Sequence, residues 1–114
     1  MGVVIYHNPR CSKSRQVLAL LEDRGIEPEI VRYLEVPPGA AALKAIAGKL
    51  GAAPREMMRV KEAPYKELGL KDVDDADALF RAMADNPILI ERPIVVNGDR
   101  AAIGRPPEAV LAIL

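Results

Sequence analysis

The sequence contains one cysteine, one histidine and no tryptophan. With a single thiol the chain cannot form an internal disulfide, which excludes a secreted disulfide scaffold and fits a reducing compartment. It also lacks the set of Cys and His side chains from which structural metal sites are built. We therefore expect a cytoplasmic protein that binds no metal.

Long apolar runs and an excess of charge are missing as well. No apolar stretch approaches the ~20 residues that a membrane-spanning helix needs. The sixteen basic residues balance sixteen acidic ones, which argues against a general nucleic-acid or membrane-binding surface. Any anion binding must therefore be local.

The chain has 114 residues, of which half are apolar. This length supports one hydrophobic core but not two, so we expect a single domain, residues 1–114. Nothing in the pattern indicates a large exposed apolar seam, and a monomer is expected.

Both rare residues lie in one short stretch, residues 6–15, which reads Tyr-His-Asn-Pro-Arg-Cys-Ser-Lys-Ser-Arg. The apolar segment Val3–Tyr6 before it predicts a buried strand. Behind it, apolar residues recur at helical spacing from Val17 until Gly25. The pattern therefore places Cys11 between a strand and the first turn of a helix, where backbone N–H groups and the helix dipole favour negative charge.

This placement predicts a reactive thiolate. A free cysteine has a pKa of about 8.5, and helix N-termini and neighbouring cations lower it to roughly 3.5–7.5. Three cations, Arg10, Lys13 and Arg15, lie within four residues of Cys11. The alternative is that Cys11 is a small buried hydrophobic residue.

The two ends of the chain predict a mixed sheet. Pro28–Leu34 is predicted as a second strand, which completes a right-handed βαβ unit. Residues 94–96 and 101–103 are predicted as a hairpin with a type I′ turn at Asn97-Gly98. A last helix opens at Pro106-Pro107-Glu108. We therefore predict an α/β protein with a mixed four-stranded sheet flanked by helices.

Helical segments fill the region between the second and third predicted strands. Apolar residues from Leu43 to Leu50 predict a helix, and Pro54 opens a short one in which Met57 and Met58 are interpreted as core residues. Residues 61–69 are predicted as a polar connection with one turn. Four aspartates open another helix, which ends at Asn86-Pro87, and we interpret them as helix-capping charges rather than a metal cluster. They are Asp72, Asp74, Asp75 and Asp77.

The predicted arrangement resembles the thioredoxin fold with an enlarged helical insertion. An ordered set of motifs extends the likeness along essentially the whole chain, and by it the sequence resembles the glutaredoxin-linked arsenate reductase family. The motifs are His7-Asn8-Pro9-x-Cys11, Tyr33-Leu34-Glu35, Arg59 before Pro64-Tyr65-x-x-Leu68-Gly69-Leu70, Asn86-Pro87-Ile88-Leu89-Ile90-x-Arg92-Pro93-Ile94-Val95-Val96, and Gly104-Arg105-Pro106.

The resemblance implies the reduction of arsenate to arsenite. It implies that Cys11 is the nucleophile, that Arg59, Arg92 and Arg105 hold the arsenate oxygens, and that the Arg92-Pro93 bond is cis. Because the chain has no second cysteine, the electrons must come from external thiols, which the resemblance identifies as glutathione and glutaredoxin. No bound cofactor is required.

Four further residues are candidates for supporting roles. His7 either modulates the thiolate or only forms a local hydrogen bond. Asn8 is expected to orient the loop, Ser14 to donate to the sulfur or the oxyanion, and Arg15 to extend the positive field or to face solvent.

Two other functions stay open at this point. Well-known arsenate reductases of the group have Gly-Thr where this chain has Ser12-Lys13, so one alternative is a glutathione-dependent thiol oxidoreductase of the same fold. The second is an RNA-polymerase-binding regulator, because the family also resembles the Spx proteins. Those that sense redox state use a Cys-x-x-Cys pair, which Ser14 interrupts here.

Overall fold

The structure, a computed structural model, describes residues 2–114. These residues group into two compact units: one combines the described residues up to Val36 with Arg92–Leu114, and the other is Pro37–Glu91. The first unit contains the sheet and the second is built from helices. The expected single domain stays a prediction. Among the helices of residues 2–114, none combines the length and the apolar character that crossing a membrane requires.

The first unit contains the predicted mixed four-stranded sheet. Its strands are β1 (Val3–Tyr6), β2 (Glu29–Val31), β3 (Ile94–Asn97) and β4 (Arg100–Ile103), in the order β2-β1-β3-β4. The β1 strand is parallel to β2 and antiparallel to β3, and β3 is antiparallel to β4. The predicted combination of a parallel pair and a hairpin is confirmed.

The core of this unit lies between the sheet, one α-helix and the C-terminal segment. Helix α1 (Ser12–Asp23) follows Cys11 and ends before Gly25, as expected. The C-terminal segment, Pro107–Ile113, is a 3₁₀ helix, in which side chains three residues apart lie on the same face. The buried core residues are Ile5, Val17, Leu21, Val95, Val110 and Ile113.

The second strand is shorter than predicted. It ends at Val31, and residues 33–35 form a turn in which the Glu35 N–H donates to the Arg32 carbonyl at 2.9 Å. The reason is the length of the neighbouring strand: β1 ends at Tyr6, and the His7 N–H donates to the Val31 carbonyl at 2.8 Å. Residues beyond Val31 therefore have no further β1 residue to pair with.

The predicted type I′ turn at Asn97-Gly98 is wrong. Asn97 is still paired, with Arg100, so Gly98 and Asp99 are the two central residues. A type I′ turn needs a positive φ at both of them, whereas only Gly98 has one, at 63°. The Asn97 side chain is engaged elsewhere, because its Nδ2 donates to the Ile113 carbonyl at 2.6 Å.

The second unit consists of helices joined by short turns, which confirms the predicted helical insertion between the second and third strands. Met57 and Met58 are buried, as expected of core residues. The 61–69 segment is more ordered than predicted: it contains a helix whose Tyr65 is buried and accepts a hydrogen bond from Arg55 Nε at 3.0 Å. The α-helices are α2 (Ala40–Leu50), α3 (Ala63–Glu67) and α4 (Ala76–Asp85), and the 3₁₀ helices are Pro54–Met57, Leu70–Asp72 and Pro87–Leu89.

Helix α4 begins at a capping aspartate, as predicted. The Asp75 carboxylate accepts a hydrogen bond from the Asp77 N–H at 3.2 Å, and Asp77 lies in the first turn. Helix α4 packs on α2 and buries Leu79, Phe80 and Met83. Asp75 therefore caps the helix, whereas the Asp77 carboxylate lies 3.5 Å from Lys44 Nζ.

Candidate functional site

Cys11 occupies the N-cap position of α1, directly after the loop that leaves β1. Its own N–H donates to the Asn8 carbonyl at 3.0 Å, and its carbonyl accepts the Arg15 N–H at 3.0 Å. The side chain is partly exposed. The predicted placement of the thiol at a helix N-terminus is confirmed.

The environment lowers the pKa of Cys11, as the sequence predicts. Burial alone would raise the pKa, but four interactions outweigh it: hydrogen bonds from the Ser14 N–H, the Arg92 side chain and the Lys13 N–H, and the charge of Arg92. Each of these stabilises the thiolate and not the thiol.

The source of this shift differs from the prediction. The three nearby cations, Arg10, Lys13 and Arg15, have exposed side chains, and Lys13 acts on the sulfur through its backbone N–H. The Arg15 guanidinium instead donates to the Pro9 carbonyl at 2.9 Å. The cation that reaches the sulfur is Arg92, from the loop before β3.

His7 and Ser14 form a buried pair beneath the loop. His7 Nδ1 lies 2.6 Å from Ser14 Oγ, and that oxygen accepts the Asn8 N–H at 3.0 Å. Burial lowers the pKa of His7, and the charges of Arg32 and Arg15 lower it further. A neutral His7 lends no charge to the thiolate, so these contacts favour the local hydrogen-bonding role. The Ser14 hydroxyl is engaged with His7 and Asn8, and it is the Ser14 N–H that helps to lower the pKa of Cys11.

The Asn8 side chain also stabilises the loop before Cys11, by a hydrogen bond to the loop backbone. Its Oδ1 accepts the Arg10 N–H at 3.0 Å. Together with the hydrogen bond from Arg15 to Pro9, this contact fixes the backbone that precedes Cys11. Asn8 and Arg15 therefore both act on the loop.

Arg92 and Arg105 lie in two loops that contact each other. The Arg92-Pro93 bond is cis, as expected, and so is the Arg105-Pro106 bond. Arg105 Nε donates to the Arg92 carbonyl at 3.0 Å. Arg92 Nε is buried and has no hydrogen-bond partner among residues 2–114. The first unit thus holds Arg105 against the loop of Arg92, whose charge lowers the pKa of Cys11.

Gly104 permits the close approach of these loops. Its N–H donates to the Pro93 carbonyl at 2.9 Å. A Cβ at this position would lie 2.6 Å from Val17 Cγ2 and 2.9 Å from Pro93 Cγ. Only a residue without a side chain fits between α1 and the proline.

Arg59, the third predicted arsenate ligand, lies in the second unit. Its Nη2 is 3.2 Å from Glu62 Oε2, and its N–H donates to the Leu89 carbonyl at 2.7 Å. Arg59 Nη1 is buried and has no hydrogen-bond partner in the described part of the chain. Its role as an arsenate ligand stays a prediction.

Tyr33 is a site residue that the sequence analysis missed. Its side chain is only 1% exposed. Burial raises its pKa; the charge of Arg92 lowers it, the Cys11 thiolate raises it, and hydrogen bonds from the Asn8 and Arg92 side chains lower it. The buried Tyr33 phenol is therefore electrostatically coupled to both Arg92 and the Cys11 thiolate.

A topological signal was available for Tyr33. The carboxyl ends of parallel neighbouring strands meet at the same edge of a sheet, so residues that follow β1 and β2 lie close together. Tyr33 stands two positions after β2, as part of the Tyr33-Leu34-Glu35 motif. The sequence pattern instead predicts a strand that continues through Tyr33 to Leu34.

The loops around Cys11 belong to a chain that matches the model of the ArsC family over residues 6–113. The chain belongs to the ArsC family. It is 57% identical over 114 residues to "Arsenate reductase" of Neisseria meningitidis serogroup A, with 98% of this chain and 97% of that protein covered. It is 55% identical over 116 residues to "Arsenate reductase" of Haemophilus influenzae, with both chains covered completely.

A solved structure shows the same ArsC fold. "Arsenate reductase from Vibrio cholerae" superposes with a TM-score of 0.96 at 58% identity, and the match covers 100% of this chain and 98% of that one. The predicted family and the predicted thioredoxin-like fold class are confirmed.

Proposed function

We propose that this ArsC-family chain is an oxidoreductase that reduces arsenate to arsenite, with the Cys11 thiolate as the nucleophile. The observation that carries the proposal is the position of Cys11 at the N-cap of α1, where the charge of Arg92 and the N-terminal N–H groups of the helix lower the pKa of the thiol. The names of the relatives that match over the full length point to the same activity.

Arginine side chains reduce the electrostatic repulsion between the thiolate and arsenate in the first step. Arsenate is an anion near neutral pH, so a thiolate that approaches it meets like-charge repulsion. A guanidinium group offsets this repulsion, stays protonated, and presents paired donors to tetrahedral oxyanions. In our proposal Arg92 and Arg105 bind arsenate from their two loops, and Arg59 is the third ligand.

The first chemical step forms a sulfur–arsenic bond. The Cys11 thiolate attacks the arsenic atom, and one arsenate oxygen leaves as water after it takes up protons from solvent. The product is a thiol–arsenate ester in which arsenic is still As(V).

The second step transfers the electrons. A glutathione thiolate attacks the Cys11 sulfur, the sulfur–arsenic bond breaks, and its electron pair remains on arsenic, which leaves as arsenite. The two thiolates are thereby oxidised to a mixed disulfide between Cys11 and glutathione, which balances the two-electron reduction of As(V) to As(III). A glutaredoxin thiolate then attacks the glutathione sulfur and releases the Cys11 thiolate.

A coupled assay tests the proposal. Arsenate-dependent oxidation of NADPH is followed with glutathione, glutaredoxin and glutathione reductase, for the wild type and for Cys11→Ser. We expect turnover in the wild type and none in the variant. A wild type that does not turn over arsenate but still accepts glutathione on Cys11 would replace the proposal with a glutathione-dependent thiol oxidoreductase.

A further inference from the structure

A pocket of about 230 Å³ opens beside the loop that carries Cys11. One wall is the loop itself, including Pro9 and Arg10, and the other is the turn after β2, with Arg32, Leu34 and Glu35. Both walls belong to the first compact unit. The reaction proposed above assigns no role to this pocket.

The charges of the pocket are available to a ligand. Arg10, Arg32 and Glu35 are all exposed. Among residues 2–114, neither arginine forms an ion pair with Glu35. The lining thus offers two cations, one anion and the apolar surface of Pro9 and Leu34, whose side chain is 44% exposed.

We propose that this pocket binds the γ-glutamyl end of glutathione. The α-carboxylate of that end lies against Arg10 and Arg32, and its ammonium group lies near Glu35. The inference rests on the proposed function, because it gives the reductant of the second step a binding site.

The size and charges of the pocket select one end of the tripeptide. Its volume is below the range of roughly 300–1,000 Å³ typical of sites that enclose a whole drug-sized ligand. The glycyl end of glutathione carries only a carboxylate, which Glu35 would repel. The γ-glutamyl end carries both charges, so it matches the two signs of the lining.

The location of the pocket suits the chemistry. Arg10 directly precedes Cys11, and consecutive Cα atoms are about 3.8 Å apart. In glutathione the γ-glutamyl group is attached directly to the cysteinyl residue. Anchoring that group beside Arg10 therefore directs the glutathione thiolate toward the Cys11 sulfur, where it attacks in the second step.

A thiol–disulfide exchange experiment tests the site without arsenate. Reduced protein reacts with glutathione disulfide and, separately, with the uncharged hydroxyethyl disulfide, and mass spectrometry follows the modification of Cys11. The ratio of the two rates cancels changes in the intrinsic reactivity of the thiol. We expect Arg32→Gln and Glu35→Gln each to lower this ratio about two- to five-fold, the size of effect typical of one exposed ion pair.

Arg24→Gln is the matched control. Arg24 is an exposed cation of the same unit that caps the other end of α1 and does not line the pocket. An unchanged ratio in Arg32→Gln would overturn the inference. A ratio that rises in Glu35→Gln would also overturn it, because the glycyl carboxylate would then be the group in the pocket.

Fragments of glutathione provide a second test, in the arsenate assay. We expect γ-glutamylcysteine to keep a KM close to that of glutathione, and cysteinylglycine to have a KM several-fold higher. Equal values for the two fragments would overturn the inference while leaving the reductase activity in place. Absence of arsenate turnover with every thiol, together with an exchange ratio that depends on Arg32, would refute the reductase activity and support the pocket.

Discussion

At the scale of single residues, the ionisation of Cys11 depends on groups that are far apart in the sequence. The helix N–H groups of Lys13 and Ser14 are local, but Arg92 comes from the loop before β3. Tyr33 responds to both regions, since the charge of Arg92 and the Cys11 thiolate both shift its pKa. We infer that Tyr33 acts on the thiol by holding Arg92 in position.

Arg92→Gln should raise the pKa of Cys11. The charge of Arg92 favours the thiolate, so its removal leaves the anion less stabilised. The thiolate absorbance at 240 nm and the rate of iodoacetamide alkylation, both measured against pH, report the midpoint. Arg100→Gln changes an exposed cation on β4 and should leave the midpoint unchanged. An equal shift in both variants would contradict the assignment to Arg92.

The same titration separates a positioning role of Tyr33 from a merely structural one. Tyr33→Phe keeps the buried ring and removes only the phenol hydroxyl. It should raise the Cys11 midpoint by less than Arg92→Gln does, and it should add nothing further in an Arg92→Gln background. Additive shifts in the double variant would show that Tyr33 acts independently of Arg92.

Residue identity alone predicted only part of this site. The rarity of Cys11 and its place between a strand and a helix were sufficient to predict a thiolate, because helix N-termini act locally. The effect of Arg92 on the thiol depends on the pairing of β1 with β3, which brings the loop before β3 to the end of β1 and is not encoded by residues next to Cys11. The sequence therefore predicts that the exposed cations next to Cys11 lower its pKa by their charge, whereas in the structure the charge of Arg92 has this effect.

At the scale of elements, the site depends on a close contact between α1 and two loops. Gly104 lies between Val17 of α1 and Pro93, and the following residue, Arg105, donates to the Arg92 carbonyl. The packing of the helix and the position of the arginine loops are thereby coupled. A side chain at Gly104 disturbs both.

Gly104→Ala should destabilise the protein by about 1–3 kcal/mol, the usual cost of forcing an extra methyl group into a packed core. Gly48→Ala is the matched control, because Gly48 lies within α2 and an added Cβ meets no atom within 4 Å. There alanine should be neutral or stabilising by up to about 1 kcal/mol. Urea unfolding of both variants measures these differences, and a Gly104→Ala protein as stable as the wild type would refute the close contact.

Element boundaries were predicted less well than element types. Apolar periodicity located β1, α1 and α2 because each has a clear pattern of its own. The end of β2 depends on where its partner β1 ends, and the position of the hairpin turn depends on the Asn97–Arg100 pair. Such boundaries are set by pairing with another segment.

At the scale of the whole molecule, sequence pattern predicted the mixed sheet and the helical insertion. The β-α-β start and the hairpin near the end are local patterns, and chain-connection rules leave few ways to join them in one sheet. The ordered motifs then indicated the family. The grouping of the chain into two compact units was not predicted, because it depends on contacts distant in sequence.

Global stability should also depend on pH through His7, whose buried side chain has a lowered pKa. Ser14 Oγ accepts the Asn8 N–H, so its O–H is available to donate to a neutral His7 Nδ1. Protonated His7 no longer accepts this bond. The unfolded chain, with an ordinary histidine pKa of about 6.5, therefore binds a proton before the folded one does. Stability is fully present above that pH and falls as the pH drops toward the lower folded pKa.

The contribution of His7 to the free energy of unfolding can be isolated with two proteins, Cys11→Ser and the double variant Cys11→Ser/His7→Asn. Neither protein has a thiol that titrates. Carboxylates are common to both proteins, so the difference between their unfolding free energies reports the histidine. We expect urea unfolding to show this difference at its largest near pH 8 and shrinking as the pH falls below about 6.5. A difference that stays constant over this range would mean that His7 has the same pKa in the folded and unfolded chains, and that its bond to Ser14 does not depend on its protonation.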